Sequence, residues 1–279
     1  MTRSVFTQTL KEQRRGLIGW SIGIALVPLL YLPSFNSLKE QGSLNNIKQN
    51  RVYDALGAGD FASATGFLHS MIYSMIGLLL MLIFAVTFAA RSVTQEENGT
   101  LDLLLAQPVS RIALLSQRFG ALATQIAVVT TVLALSVISG ARAGKMVVPT
   151  GQIIAASVAL GLLALAVGAI ALLAGAITGK RSLALGSASV LALGGYFANT
   201  LGADWLRRIS PFYYAVGDKP VVNGWNALHL IVLIAVAALA MALALAAFDR
   251  RDLAGCPPDP GGGGAPPPAR PDAAPQPRE

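Results

Sequence analysis

Charge is scarce in this chain: Asp, Glu, Lys and Arg make up 13% of its 279 residues, against roughly 25% in soluble domains. A soluble fold with so little hydrating surface would expose large apolar patches and aggregate. Disorder is excluded for the opposite reason, since it requires low hydrophobicity and 54% of the residues are hydrophobic. Cysteine is nearly absent. The lone Cys256 leaves no disulfide framework and no Cys-rich metal site. Acidic residues are few as well, 14 against 21 basic. The resulting charge of +7 would fit a nucleic-acid binder unless the positions of the cations say otherwise.

Those positions decide it. The charged residues bracket six long uncharged runs: Gly16–Leu38, Phe61–Ala90, Phe119–Ala141, Met146–Gly179, Ser182–Ala203 and Pro220–Phe248. About 20 apolar residues cross a bilayer as a helix, and each run is at least that long. Lipid offers no partner for an exposed N–H or C=O, so helices are the expected state. The expectation is an all-α integral membrane protein with six transmembrane helices. The first run reads as a span and not as a cleaved leader, because no small-x-small site followed by a soluble domain comes after it.

An even number of spans puts both termini on one side. With that side cytoplasmic, thirteen of the 21 Lys and Arg lie inside and eight outside. Arg14–Arg15, Lys180–Arg181 and Arg250–Arg251 directly abut inner span ends, where the positive-inside rule acts. The basic excess therefore orients the chain in a membrane, and no nucleic-acid partner is expected.

The chain divides into three parts. Residues 1–15 read as an amphipathic interfacial helix, with Ser4 as N-cap, Phe6 and Leu10 on one face, and Lys11, Arg14 and Arg15 near its end. Residues 16–252 form the six-span domain. Residues 253–279, rich in Pro and Gly, form a disordered cytoplasmic tail. Within the domain, Gly19 and Gly23 make a small-xxx-small pair in the first span, and Pro28 and Pro33 kink or end that span near its outer side. Pro149 and Thr150 set a late start for the fourth helix. The external stretch from Ala203 to Asn226 holds Trp205, Phe212, Tyr213, Tyr214 and Trp225, an aromatic content that suits short helices at the membrane–water interface.

The longest cytoplasmic connection, 91–118, has internal order. Thr94-Gln-Glu-Glu97 matches a capping box, and Asn98-Gly99 marks a turn. Thr100 to Gln107 reads as a short helix with Leu101, Leu104 and Leu105 on one face and Asp102 on another. Pro108 ends it, and Ser110 caps a helix leading through Arg111 to Arg118 into the third span. An amphipathic helix too short to span fits a groove on a soluble partner or the membrane interface itself.

The stretch Ser92-Val-Thr-Gln-Glu-Glu-Asn-Gly-Thr-Leu-Asp-Leu-Leu-Leu-Ala-Gln-Pro-Val-Ser-Arg111 resembles the signature of type-2 ABC transporter permeases, the membrane subunits of bacterial ABC exporters. The basic N-terminal helix, the six runs and Ser210-Pro-Phe-Tyr-Tyr214 before the last span agree with it. The resemblance covers roughly residues 4 to 252. It implies a multi-pass protein of the bacterial cytoplasmic (inner) membrane, in which two permease subunits pair as a homodimer or with a similar chain. Two copies of a separate ABC ATPase subunit clamp beneath them. By position, Glu96, Glu97, Gly99, Thr100, Leu101, Asp102, Leu104 and Leu105 form the ATPase-coupling set. ATP and Mg are then expected in the partner ATPase, and no cofactor in this chain. The implied cargo is a hydrophobic or amphiphilic compound, such as a drug, antibiotic or lipid. Residues lining its path are not readable from the sequence.

Three other activities were weighed. Gly175-Ala-Ile-Thr-Gly-Lys-Arg-Ser182 superficially resembles a phosphate loop. It has three residues between its glycines where four are needed, and Arg181 where Ser or Thr must follow the Lys. An intramembrane serine hydrolase would draw on Ser187, Ser189 and His229, but no Gly-x-Ser-x-Gly elbow occurs. A stand-alone secondary transporter would place ionisable groups within its spans. The six runs hold only His69 and His229, both near ends.

Overall fold

The computed structural model describes residues 5–40, 63–97, 111–201 and 204–250. Every regular element among these residues is helical. Helix α1 covers Val5–Tyr31 and is followed by a 3-10 turn, Leu32–Ser34, and α2, Phe35–Glu40. A second helical rod comprises α3 (Ala64–Leu68), a π-helical stretch (His69–Ile76) and α4 (Gly77–Glu97). Next come α5 (Arg111–Ala143), α6 (Thr150–Thr178) and α7 (Arg181–Leu201). Two short helices, α8 (Asp204–Ile209) and α9 (Pro220–Asn223), flank a π-helical turn at Tyr213–Gly217. Helix α10, Ala227–Arg250, ends the described chain.

Five of these segments are long and apolar enough to cross a membrane: Val5–Ser37, Ala64–Arg91, Ile112–Ala143, Thr150–Thr178 and Ala227–Ala247. The fifth uncharged run forms α7, a helix of 21 residues. Its serines, glycines, Asn199 and Thr200 keep it out of that apolar class.

Helix α6 is the hub. It packs against α10, α4, α5 and α7. Its sequence has no polar face, and a helix apolar all round belongs in an interior. Consecutive residues such as Ala155, Ala156 and Ser157, then Ala166, Val167, Gly168 and Ala169, are all buried. Small side chains let several helices approach at once. At Gly161 the approach is so close that an added Cβ would lie 2.3 Å from Thr130 Oγ1 of α5. Pro149 stands in extended conformation at the N-cap of α6, and Gly179 ends the helix in the left-handed region with its N–H bonded to the Gly175 carbonyl. The stretch weighed as a phosphate loop is thus the end of a helix.

Helix α1 is peripheral. Its buried residues, Thr9, Gln13, Ile24 and Pro28, mark a narrow stripe that packs on α5, while Ile18, Ile22, Leu26 and Leu30 are exposed. The helix is unbroken from Val5, so the basic segment expected as a separate interfacial helix is continuous with the first span. No proline or turn dipeptide between residues 5 and 27 interrupts it. Its N-terminal half is clipped to α5. The Phe6 N–H donates to Gln117 Oε1 at 3.1 Å, and Gln125 Nε2 donates to Gln13 Oε1 at 3.0 Å between two buried amides.

Helix α4 also runs further than expected. It continues through Glu97, which puts Thr94 inside a helix and not at the start of one. An N-cap residue takes up non-helical dihedrals, so Thr94 is not the start of a new helix here. No Gly or Pro between Leu78 and Glu97 stops the helix earlier.

Candidate functional site

Two regions bear on function, and the first is the connection between α4 and α5. Glu96 and Glu97 form the last residues of α4. Gly99, Thr100, Leu101, Asp102, Leu104 and Leu105 lie outside the described residues, as do Ser110 and the tail from 251 onward. At the start of the connection, the Arg91 guanidinium sits 4.8 Å from the Phe88 ring centroid and beside Gly16 of α1. At its far end α5 begins at Arg111 and carries Arg118 into a buried position. The connection is therefore tied at both ends to helices that α1 braces.

The second region is an apolar groove of about 590 Å³ between the second helical rod and α7. Along the rod its wall runs from Ser74, Met75 and Ile76 through Leu79 and Ile83 to Val86 and Thr87; along α7 it runs from Leu185 through Ser189 and Leu193 to Tyr196 and Phe197. The two walls are antiparallel, so Leu185 faces the Thr87 end and Phe197 the Ser74 end. Thirteen residues of helix rise about 20 Å, which is much of the roughly 30 Å hydrocarbon thickness. Among the described residues, no charged side chain lines the groove. Leu79, Ile83, Leu193 and Phe197 are exposed along it, so it opens sideways, toward what would be lipid.

The π-helical stretch shapes the Ser74 end of this wall. A π turn widens the helix and re-aims its side chains. Ser74 thereby faces the groove, while Tyr73 turns inward, its hydroxyl 2.8 Å from Ser157 Oγ and donating to the Ile153 carbonyl at 3.1 Å. Sequence reasoning missed the groove. Its only local signal was that α7 carries serines and glycines in a run otherwise suited to lipid.

The aromatic stretch folds into short helices as expected and packs against α6 and α10. Part of it is buried, including Phe212, Ala215, Val216 and Val221. Ser210 Oγ donates to the Gly195 carbonyl at 2.8 Å, and Gln152 Nε2 to the Val222 carbonyl at 3.1 Å. His229 Nδ1 lies 3.3 Å from Asp218 Oδ2, and Asn226 Nδ2 donates to the same oxygen at 3.3 Å. The Tyr214 ring packs edge-on against the imidazole at 5.1 Å. The candidate hydrolase residues have separate surroundings: His229 lies beside Asp218, Ser187 Oγ donates to the Leu183 carbonyl at 2.7 Å, and Ser189 faces the groove.

A bundle with a long apolar groove opening sideways suits passage of lipophilic molecules. The family model described as the multidrug efflux system permease Rv1217c, C-terminal domain, matches residues 3–249. The chain belongs to this family. No curated protein matches it. The permease is by family a membrane-embedded transport component of an efflux system, in agreement with the resemblance to ABC permeases.

Proposed function

We propose that the permease forms the transmembrane pathway of an ATP-driven exporter for hydrophobic or amphiphilic drug-like compounds, with ATP hydrolysed by a separate chain. The observation that carries this reading is the uncharged groove between α4 and α7 in a chain of the multidrug efflux permease family. An apolar wall open to the side admits cargo from the bilayer without a charge to desolvate, and a drug-sized pocket has about 300–1,000 Å³. In this reading α7 is the fifth of six spans, both termini are cytoplasmic, and the protein resides in the bacterial inner membrane.

Two ATPase copies would bind beneath two permease subunits, a homodimer or a pair of similar chains. Glu96 and Glu97 would meet basic residues of the ATPase, with Gly99, Thr100 and Asp102 completing the contact. Leu101, Leu104 and Leu105 would fill an apolar cleft. ATP and Mg belong to that partner. Closure of the ATPases biases the pathway only if this segment docks differently on their open and closed forms.

The test is efflux of the neutral dye Nile red from cells producing the permease with its ATPase. Leu193→Trp, which fills the groove from an exposed position, is expected to abolish most of the efflux while membrane insertion and ATPase association remain. Unchanged efflux in that variant would remove the groove from the pathway.

A further inference from the structure

The groove is uncharged but not wholly apolar, and its hydroxyls behave unusually for hydroxyls in helices. A Ser or Thr in a helix commonly donates back to a carbonyl of the preceding turn, which satisfies its proton in an apolar setting. Thr9, Ser116, Thr124, Thr131, Ser136, Ser157, Thr178, Ser187 and Thr200 all do so here, at 2.7–3.0 Å. Ser74, Thr87 and Ser189 line the groove and make no hydrogen bond among the described residues. Ser21, Ser70, Thr130 and Ser139, together with Ser34, Ser37, Thr150 and Ser182, share that lack but lie outside the groove wall. An unengaged hydroxyl in an apolar cleft favours a ligand that can accept its proton.

The three hydroxyls are spread along the path. Ser74 lies at the outer end, Thr87 at the inner end, and Ser189 about midway along α7. We infer that Ser74, Thr87 and Ser189 are a ladder of hydrogen-bond donors that selects neutral cargo bearing ether, ester or carbonyl acceptors over pure hydrocarbon. The inference rests on the groove being the cargo path. Phospholipid esters carry the same acceptor chemistry, but they sit at the edge of the hydrocarbon layer, whereas Ser189 stands near its middle. The occupant is therefore a mobile solute and not a bilayer lipid. The donors stand about 6 to 12 Å apart along the groove, so a solute moving through it meets them one after another.

The experiment uses the full-length permease in phosphatidylcholine nanodiscs, with saturable energy transfer from tryptophan to two pyrene probes. One is the methyl ester of pyrenebutyrate, and the other is 1-hexylpyrene, of similar size but without an acceptor. One or two net hydrogen bonds predict that the ester binds about 3- to 10-fold more tightly. The variant Ser74→Ala/Thr87→Val/Ser189→Ala should bind both probes equally, at the wild-type affinity for hexylpyrene, which also reports an intact groove. Equal binding of both probes by the wild type, or a preference kept by the triple variant, overturns the inference and leaves the groove reading standing. Binding of neither probe by the wild type overturns both. If the triple variant binds nothing, the single substitutions decide: hexylpyrene binding with an undiminished ester preference in all three overturns the ladder, and a reduced preference supports it.

Discussion

The crossing of α5 and α6 offers the sharpest test of the packing, because its tightest contact can be relieved from the opposite side. A Cβ added at Gly161 would lie 2.3 Å from Thr130 Oγ1, 2.9 Å from Cγ2 and 3.2 Å from Cβ. The first two atoms vanish in Thr130→Ala, and the third contact needs a shift of only a few tenths of an ångström. Thr130 Oγ1 is buried with no hydrogen-bond partner among the described residues, so its removal forfeits no bond. Gly161→Ala is an overpacking substitution and should destabilise the bundle by about 1–3 kcal/mol. Thr130→Ala alone loses a small amount of packing, about 1 kcal/mol. The double variant should recover most of the Gly161→Ala loss, giving a coupling energy of about 1–3 kcal/mol. For a chain of this size each kcal/mol corresponds to roughly 2–4 °C in apparent Tm. Thermal unfolding in detergent, followed by fluorescence-detected size exclusion, should therefore show Gly161→Ala about 3–10 °C below wild type. The double variant should lie close to Thr130→Ala. Wild-type stability in Gly161→Ala, or no rescue by Thr130→Ala, would refute the close crossing.

Leu104→Asp should uncouple export and weaken co-purification with the ATPase while leaving insertion intact; full assembly and efflux would remove the segment after Gly99 from the ATPase contact. At the inner end, Gln125→Leu strands the buried Gln13 amide and should cost about 1–3 kcal/mol in a detergent unfolding titration. Gln13→Leu/Gln125→Leu, which removes both amides, should be nearly neutral, and equal losses in single and double variants would argue against the pair. At the outer end of α5 a Cβ on Gly144 would press on the Leu32 main-chain carbonyl of the turn after α1. Backbone cannot swing aside, so Gly144→Ala should lower the apparent Tm more than Gly161→Ala does, and a smaller drop would mean that the turn is displaceable.

Much of the helical inventory was legible because membrane insertion imposes one-dimensional rules. Uncharged runs, prolines and glycines act locally. Pro149 starts α6, Pro33 follows the end of α1, and Gly179 closes α6 in the left-handed conformation that a Cβ disfavours. The aromatic stretch before the last span folded into short helices for similarly local reasons. Reading failed where the signals were ambiguous at short range. Thr94 to Glu97 matches a capping box, yet an uninterrupted helix already running through Thr94 has no extended N-cap to offer. The basic N-terminal residues suggested a separate surface helix, but burial of Thr9 and Gln13 against α5 carries them straight into the first span.

The candidate site divides along the same line. The set expected to meet an ATPase rests on residue order alone, because an amphipathic pattern is written within a few consecutive residues. The groove has no such pattern, since its walls come from segments far apart in the chain, Ser74 to Thr87 and Leu185 to Phe197. By itself the sequence determined a helical membrane protein, the uncharged runs from which its helices are made and the family to which it belongs. Only the tertiary structure decided that α6 is the buried hub and α1 the outer brace. It also decided that Ser74, Thr87 and Ser189 share one cleft. Apolar helices look alike along the chain, and which face meets protein and which meets lipid is set by the close approach that Gly161 and its small neighbours permit.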